Sequence, residues 1–258
     1  MPTELKTQLT IVSHYGHKPE ALIDLIVMLQ NKLSLSLGSA FRPYEMEQVH
    51  GTIIGLEGTF TNRGILSKWF KDTLEIEKYI EPSVLLDFLR SGRLGEVELK
   101  IGGWQSHEEY GFRSRDQHPF LRSFSIQGEI TVAMGWPFHN GKYSDGLYMM
   151  RKSFEEVNIL HKWHKGNYRD NDFFFVLGRI DKRRVNPFQL QQIATEIRVI
   201  LAGIDERVQI NKDTVSIVAY VDTQLPLTTS EAFSLNDPDL TPELISQLYQ
   251  QSLTMRCT

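Results

Sequence analysis

Hydrophobic positions along the first third of the chain change period several times. Gln8 to Ser13 (QLTIVS) alternates, which predicts a strand. Behind His17-Lys18-Pro19-Glu20, residues Leu22, Leu25, Ile26, Leu29 and Leu33 fall at spacings of three and four. That spacing predicts an amphipathic helix, with Gly38 as its stop. Val49 to Leu56 (VHGTIIGL) predicts a buried strand. In residues 57–82, Thr59 to Gly64 reads as a loop, and Ile65 to Phe70 and Leu74 to Ile80 as short helices. Pro82 opens a helix over Val84 to Leu89 that ends near Gly92. Val97 to Ile101 alternates as a strand. Residues 103–122 show no period and read as a long loop or insertion, of the kind that is functional or disordered.

Further along, Ser125 to Trp136 predicts a strand or hairpin, with Gly128 as a bulge. Ser144 or Asp145 is placed to cap a long helix with Leu147, Met150, Phe154, Val157, His161 and His164 along one stripe. Asp172 to Ile180 is a strongly apolar strand, and its Phe173-Phe174-Phe175 run suggests burial on both faces. Asn186-Pro187-Phe188-Gln189 is a helix start, with Asn as N-cap and Pro in the first turn. Leu190, Ile193, Ala194, Ile197 and Leu201 form its stripe, closed by Gly203. Val208 to Ile210 and Thr214 to Val221 read as a final strand pair. Residues 226–240 are polar, and Thr241 caps a short helix through Gln251. Strand–helix–strand occurs at 8–56 and again at 128–180. The organisation expected is α+β: one domain over 1–225 with insertions near 57–82 and 103–122, and a C-terminal appendage over 226–258.

Composition narrows the class. Of 258 residues, 41% are hydrophobic and 23% charged, which excludes a disordered chain. Lys and Arg number 28 against 32 Asp and Glu, a formal net charge of −4. A globally basic nucleic-acid wrapper is thereby excluded, whereas a local basic groove is not. The only cysteine, Cys257, allows no intrachain disulfide and no thiolate zinc site. No apolar run approaches the ~20 residues of a membrane span, and the N-terminus lacks the layout of a signal peptide. A soluble, cytoplasmic protein is expected.

The first candidate chemistry is His50-Gly51-Thr52. Residues i and i+2 of a strand share a face, so His50 and Thr52 project together. An imidazole beside a hydroxyl can hold a phosphate oxygen and move a proton near neutral pH. The plainer reading is a partly buried histidine bonded to nearby main chain.

The order of elements, together with Val49-His50-Gly51-Thr52-Ile53-Ile54-Gly55, resembles the two-histidine phosphoesterase family, which includes 2′,5′ RNA ligase-like proteins and cyclic phosphodiesterases. The resemblance spans roughly residues 8–222. It implies two pseudo-symmetric lobes of antiparallel sheet with helices outside, around a central groove lined by two H-x-T motifs. It also implies metal-independent action on the cyclic phosphate of a nucleotide or RNA end, with His50 and Thr52 catalytic and no cofactor or metal. The second motif departs from the pattern. In Phe173-Phe174-Phe175-Val176-Leu177-Gly178-Arg179, the Leu-Gly-Arg tail is kept, but Phe174 and Val176 stand where His and Thr are expected. One proton-transfer group, typically worth ~10²–10⁴-fold, is thereby lost. The alternative is a non-catalytic nucleotide or RNA-end binder on the same fold.

Other residues extend these readings. His14 and His17, or Arg113, Arg115, His118 and Arg122 of the 103–122 segment, are candidates to replace the missing histidine. Arg179, Arg183 and Arg122 are the candidate phosphate or RNA contacts, with Lys182 and Arg184 beside them. Against each stands ordinary surface charge. His161 and His164, three apart, read as core or interface histidines rather than metal ligands. Trp104, Tyr110 and Trp136 could stack on bases, but packing is the plainer role. The helix over 242–251 could instead serve as an oligomer contact.

Overall fold

Both strand–helix–strand units form, and both feed one antiparallel sheet. The computed structural model describes residues 6–164 and 168–251; Cys257 lies outside the described residues. The first half of the chain carries β1 (Gln8–Ser13), α1 (Glu20–Leu37), β2 (Phe41–Pro43), β3 (Gly51–Gly55), β4 (Gly58–Thr61), β5 (Gly64–Ser67), α2 (Lys68–Leu74), β6 (Tyr79–Ile80), α3 (Pro82–Arg90), β7 (Val97–Gly102), α4 (Pro119–Arg122) and β8 (Phe124–Gln127). Then come β9 (Ile130–His139), β10 (Lys142–Tyr143), α5 (Gly146–Ser153), β11 (Phe173–Ile180), α6 (Pro187–Ala202), β12 (Asp205–Ile210), β13 (Val215–Tyr220), β14 (Ser230–Ser234) and α7 (Pro242–Gln250).

The main sheet runs β12-β7-β9-β11-β3-β1-β13-β14, with β2, β8 and β10 attached at its sides. Its two halves repeat one pattern, a strand, a helix and an antiparallel neighbour: β1–α1–β3 and β9–α5–β11. They meet where Phe175 of β11 pairs with Gly51 of β3. The helix α1 seats Leu22, Leu25, Ile26, Leu29 and Leu33 in the main core. The start of α6 forms as its sequence dictates, the Asn186 side chain accepting from Gln189 N–H at 2.8 Å.

Several expectations need correction. The helix α5 stops at Ser153, and after one 3-10 turn Asn158 takes a left-handed conformation (φ 62°). There its amide donates to Tyr79 C=O. His161 and His164 therefore sit in a turn rather than on a helical stripe. Residues 57–82 hold a hairpin (β4–β5), one short helix and β6, because Ile65 and Leu66 pair with Ile80 and Tyr79. Gly128 (φ 59°) is the turn of the β8–β9 hairpin.

The strands β12 and β13 do not pair with each other: β12 joins β7, and β13 joins β1. Five strands lie between them in the sheet, roughly 29 Å if flat, whereas the short link between Ile210 and Val215 reaches at most about 18 Å. The sheet must curl round the core. The described part of 226–258 is no appendage. Its strand β14 pairs with β13, while Ile245, Leu248 and Tyr249 of α7 join the main core. The stretch Glu20–Ala40 is, by length and composition, apolar enough to cross a bilayer, contrary to expectation; here α1, which makes up most of it, packs one face on the sheet.

Candidate functional site

Direct pairing of Gly51 with Phe175 puts those two residues on one face of the sheet. Strand alternation then puts His50, Thr52, Phe174 and Val176 on the other. Gly51 is required because a Cβ there would collide with the Phe173 ring. The space expected to admit a ligand to the backbone is thus filled by the protein itself. Gly178 of the Leu-Gly-Arg tail lies where β11 slips register, and a Cβ there would strike the Arg42 carbonyl of β2.

The second half of this face is closed by hydrocarbon. Phe174 and Val176 pack against Trp104, Val132, Met134 and Trp136. Trp104 meets Trp136 and Phe112 edge to face, with centroids 5.4 and 5.5 Å apart. The 103–122 segment supplies Trp104, Tyr110, Phe112 and Phe120 to this cluster, so these aromatics and Trp136 pack on one another. Asp172 latches the segment: it accepts from Trp136 Nε1 at 2.7 Å, Ser114 Oγ at 2.8 Å and Arg122 Nη2 at 3.4 Å. Arg122 is buried and committed to this carboxylate, which corrects its reading as a phosphate contact.

The first half stays open. A cavity of about 140 Å³ is lined by His50, Thr52, Thr10, Glu57, Trp69, His161, Lys162 and Tyr220, among others. The His50 Nδ1 lies 2.6 Å from the Gln48 carbonyl. A carbonyl only accepts, so Nδ1 carries the hydrogen and Nε2 keeps its lone pair. Burial pushes the His50 imidazole down to about 4; the Gln48 bond works against that, and the Lys18 ammonium adds to it. Lys18 is itself buried and pushed down to about 8, tied to Gly16 C=O at 2.9 Å. His161, 6% exposed, is held far below the ordinary histidine value by burial and by Arg151. Its Nδ1 has no partner among the described residues, while Nε2 lies 3.7 Å from Asp170 Oδ2. Glu57 receives Trp69 Nε1–H at 2.9 Å.

Behind the cavity, buried Arg151 fixes the strand that presents Thr52. It donates to the carbonyls of Ile53 at 2.8 Å and Thr52 at 3.1 Å, and pairs with Asp170 at 3.3 Å. Sequence reasoning missed Arg151 and missed His161 and Lys162 as cavity residues. The signal for Arg151 was a lone arginine beside apolar positions of α5. For the other two there was none, since the helical period hid the turn.

The remaining candidates are scattered. His14 is buried beside Phe175, with centroids 6.2 Å apart, and His17 is exposed. Arg113 pairs with Glu109, Arg115 lies 3.7 Å from Asp172, and His118 caps α4. None of these lines the cavity. Arg179 and Arg183 border a separate cleft of about 500 Å³, paired with Glu129 and Asp181 respectively. Among the described residues no three His, Cys, Asp or Glu side chains come together as a metal set.

No family model matches the chain, and no curated protein does. Among solved structures, the chain is similar to a protein of Thermus thermophilus (14% identity, 90% of this chain and 99% of that one, TM-score 0.38). It is also similar to a structure described as a phosphoesterase (12%, 88% and 94%, TM-score 0.35). A third is Kluyveromyces marxianus Usb1 with uridine monophosphate (8%, 90% and 100%, TM-score 0.39).

Proposed function

We propose that this protein binds the cyclic phosphate of a nucleotide or RNA end in the His50–Thr52 cavity and hydrolyses it slowly. The observation that carries the reading is the pairing of the two side chains on one small cavity, with the Gln48 carbonyl leaving His50 Nε2 unprotonated. In this reading Nε2 takes a proton from water as the water oxygen bonds to phosphorus. One ring P–O bond breaks, and the freed ribose oxygen takes a proton, giving the open monoester. The Thr52 hydroxyl donates to a phosphate oxygen, while the Thr10 hydroxyl is already given to the Ile54 carbonyl at 3.2 Å. Lys162, the cationic side chain on the cavity wall, offsets the phosphate charge and supplies the leaving-group proton. The Glu57 carboxylate accepts from a sugar hydroxyl. With Phe174 in place of a second imidazole, turnover should run about 10²–10⁴-fold below that of a two-histidine site.

The second reading is binding without turnover. It is favoured by His50 and His161 both being neutral near pH 7, so that neither is a ready acid. Hydrolysis of a 2′,3′-cyclic nucleotide by wild type, His50→Ala and Thr52→Ala separates the two, with melting curves as the folding control. Hydrolysis reduced at least ~100-fold in His50→Ala supports the hydrolase. A wild type that binds the nucleotide without turning it over supports the binder, and a wild type that does neither ends both readings.

A further inference from the structure

We propose that the cleft beside the cavity seats the nucleotide next to the terminal one, so that the ligand is the end of an RNA strand rather than a free mononucleotide. This rests on the reading of the His50 cavity as the terminal phosphate site. Size is the first argument. At about 140 Å³ the cavity falls short of the ~300–1,000 Å³ of a typical small-molecule site. It takes a phosphate and a few sugar atoms. The neighbouring cleft, at about 500 Å³, lies within that range.

Continuity is the second argument. Thr223 and Leu225 line the cavity, and Gln224 between them lines the cleft. Gln48 also lines the cleft, donates to Gln224 C=O at 2.9 Å, and carries the carbonyl that fixes the His50 tautomer. The partition between the two spaces is one chain segment thick. A strand leaving the cavity has only this segment to cross to reach the cleft.

Chemistry is the third. Arg42, Arg179 and Arg183 border the cleft against the carboxylates of Glu129 and Asp181. Arg42 is exposed and has no carboxylate partner among the described residues. A phosphodiester entering there finds one cation already free, and two that can exchange a carboxylate for phosphate oxygens. Tyr44 donates to Gln224 Oε1 at 3.1 Å. Its ring, with two glutamine amides, offers a base both an apolar face and hydrogen-bonding edges.

The test compares the affinity of uridine 2′,3′-cyclic phosphate with that of a uridine trinucleotide ending in the same cyclic phosphate. Titrations use wild type, Arg42→Glu and Arg183→Glu, with melting curves to confirm folding. Wild type should bind the trinucleotide at least about tenfold more tightly, and each reversal should cut that ratio several-fold. The salt dependence of trinucleotide binding should shallow by ~0.7 in log–log slope per lost contact. Equal affinity for the two ligands, or a ratio untouched by both reversals, overturns the cleft assignment while leaving the cavity reading intact. Failure of wild type to bind either ligand overturns both.

Discussion

Arg151→Met keeps a buried stem and deletes the guanidinium that ties β3 to the chain ahead of β11. In the native protein this group, 2% exposed, donates to the carbonyls of Ile53, Thr52, Asp172 and Asp170 at 2.8 to 3.2 Å. It also donates to the Asp170 carboxylate at 3.3 Å. Removing one member of a buried ion pair costs ~3–5 kcal/mol, because the other charge is left in low dielectric. Stranded carbonyls add roughly 1–3 kcal/mol each where water cannot reach them. Some are already shared with the sheet ladder, so about 5 kcal/mol in total is expected. Total stability is of order 5–15 kcal/mol, and a chain of this size loses ~2–4 °C per kcal/mol, so the Tm should drop by roughly 10–20 °C. Urea unfolding with a calorimetric scan reads both quantities. Asp170 is already pushed up by burial, against the pull of Arg151. Arg151→Met/Asp170→Asn should therefore regain about 1–2 kcal/mol over the single variant, since the stranded charge is gone. A single variant within ~1 kcal/mol of wild type would refute the reasoning.

Acid should destabilise the fold in a defined window. His14, His50 and His164 are each pushed down to about 4, chiefly by burial. A depressed folded-state value means the unfolded chain takes the proton first, so stability is whole above pH ~6.5 and falls as pH drops toward 4. By pH 5 the three together should have lost about 3–6 kcal/mol, and a Tm that is flat between pH 7 and 5 would contradict this. Asp172→Ala should free the 103–122 segment, seen as faster limited proteolysis there and a shift in tryptophan emission, with about 2–4 kcal/mol lost; unchanged proteolysis would count against the latch. Restoring the family pattern by Phe174→His with Val176→Thr should not raise turnover, because the new imidazole faces Trp104 and Trp136, and should cost ~3 kcal/mol or more. A tenfold gain in cyclic nucleotide hydrolysis would show that the aromatic wall yields.

Local signals carried much of this architecture. Leucine spacing in α1, the Asn186 cap of α6 and the alternation of β7 and β13 are decided by neighbouring residues, and each formed where the sequence places it. What the sequence hid was decided at long range. Leu66 and Ile65 look helical until Tyr79 and Ile80 pair with them. The short β12–β13 link imitates a hairpin, although its strands join separate halves of a curled sheet. His161 continued a helical count that Asn158 had already ended. At the site, the shared face of His50 and Thr52 followed from strand period alone. The fate of Arg122 did not, because it depends on a carboxylate fifty residues away.

The two halves of the sheet are alike in topology and unlike in what covers them, and that difference locates the chemistry. On β9 and β11 the relevant face presents Val132, Met134, Trp136, Phe174 and Val176, all apolar, and the 103–122 segment lies on them under the Asp172 latch. Burying that much aromatic surface stabilises the cover strongly, at about 25 cal/mol per Å², so a ligand cannot readily displace it. On β1 and β3 the same face presents Thr10, whose hydroxyl is given to the Ile54 carbonyl, and His50 and Thr52, which need water or a polar partner. Among the described residues, the second half reaches this cavity through His161 and Lys162, in the connection between α5 and β11. A second proton carrier can come from that connection, from Glu57 or Tyr220 on the cavity wall, or from solvent. The latch and the cavity also share a support, because Arg151 grips Asp170 and the Asp172 carbonyl as well as the Thr52 and Ile53 carbonyls. Loosening the aromatic cover should therefore be felt at His50, and the His50 ring resonances of Asp172→Ala should move even though Asp172 does not line the cavity.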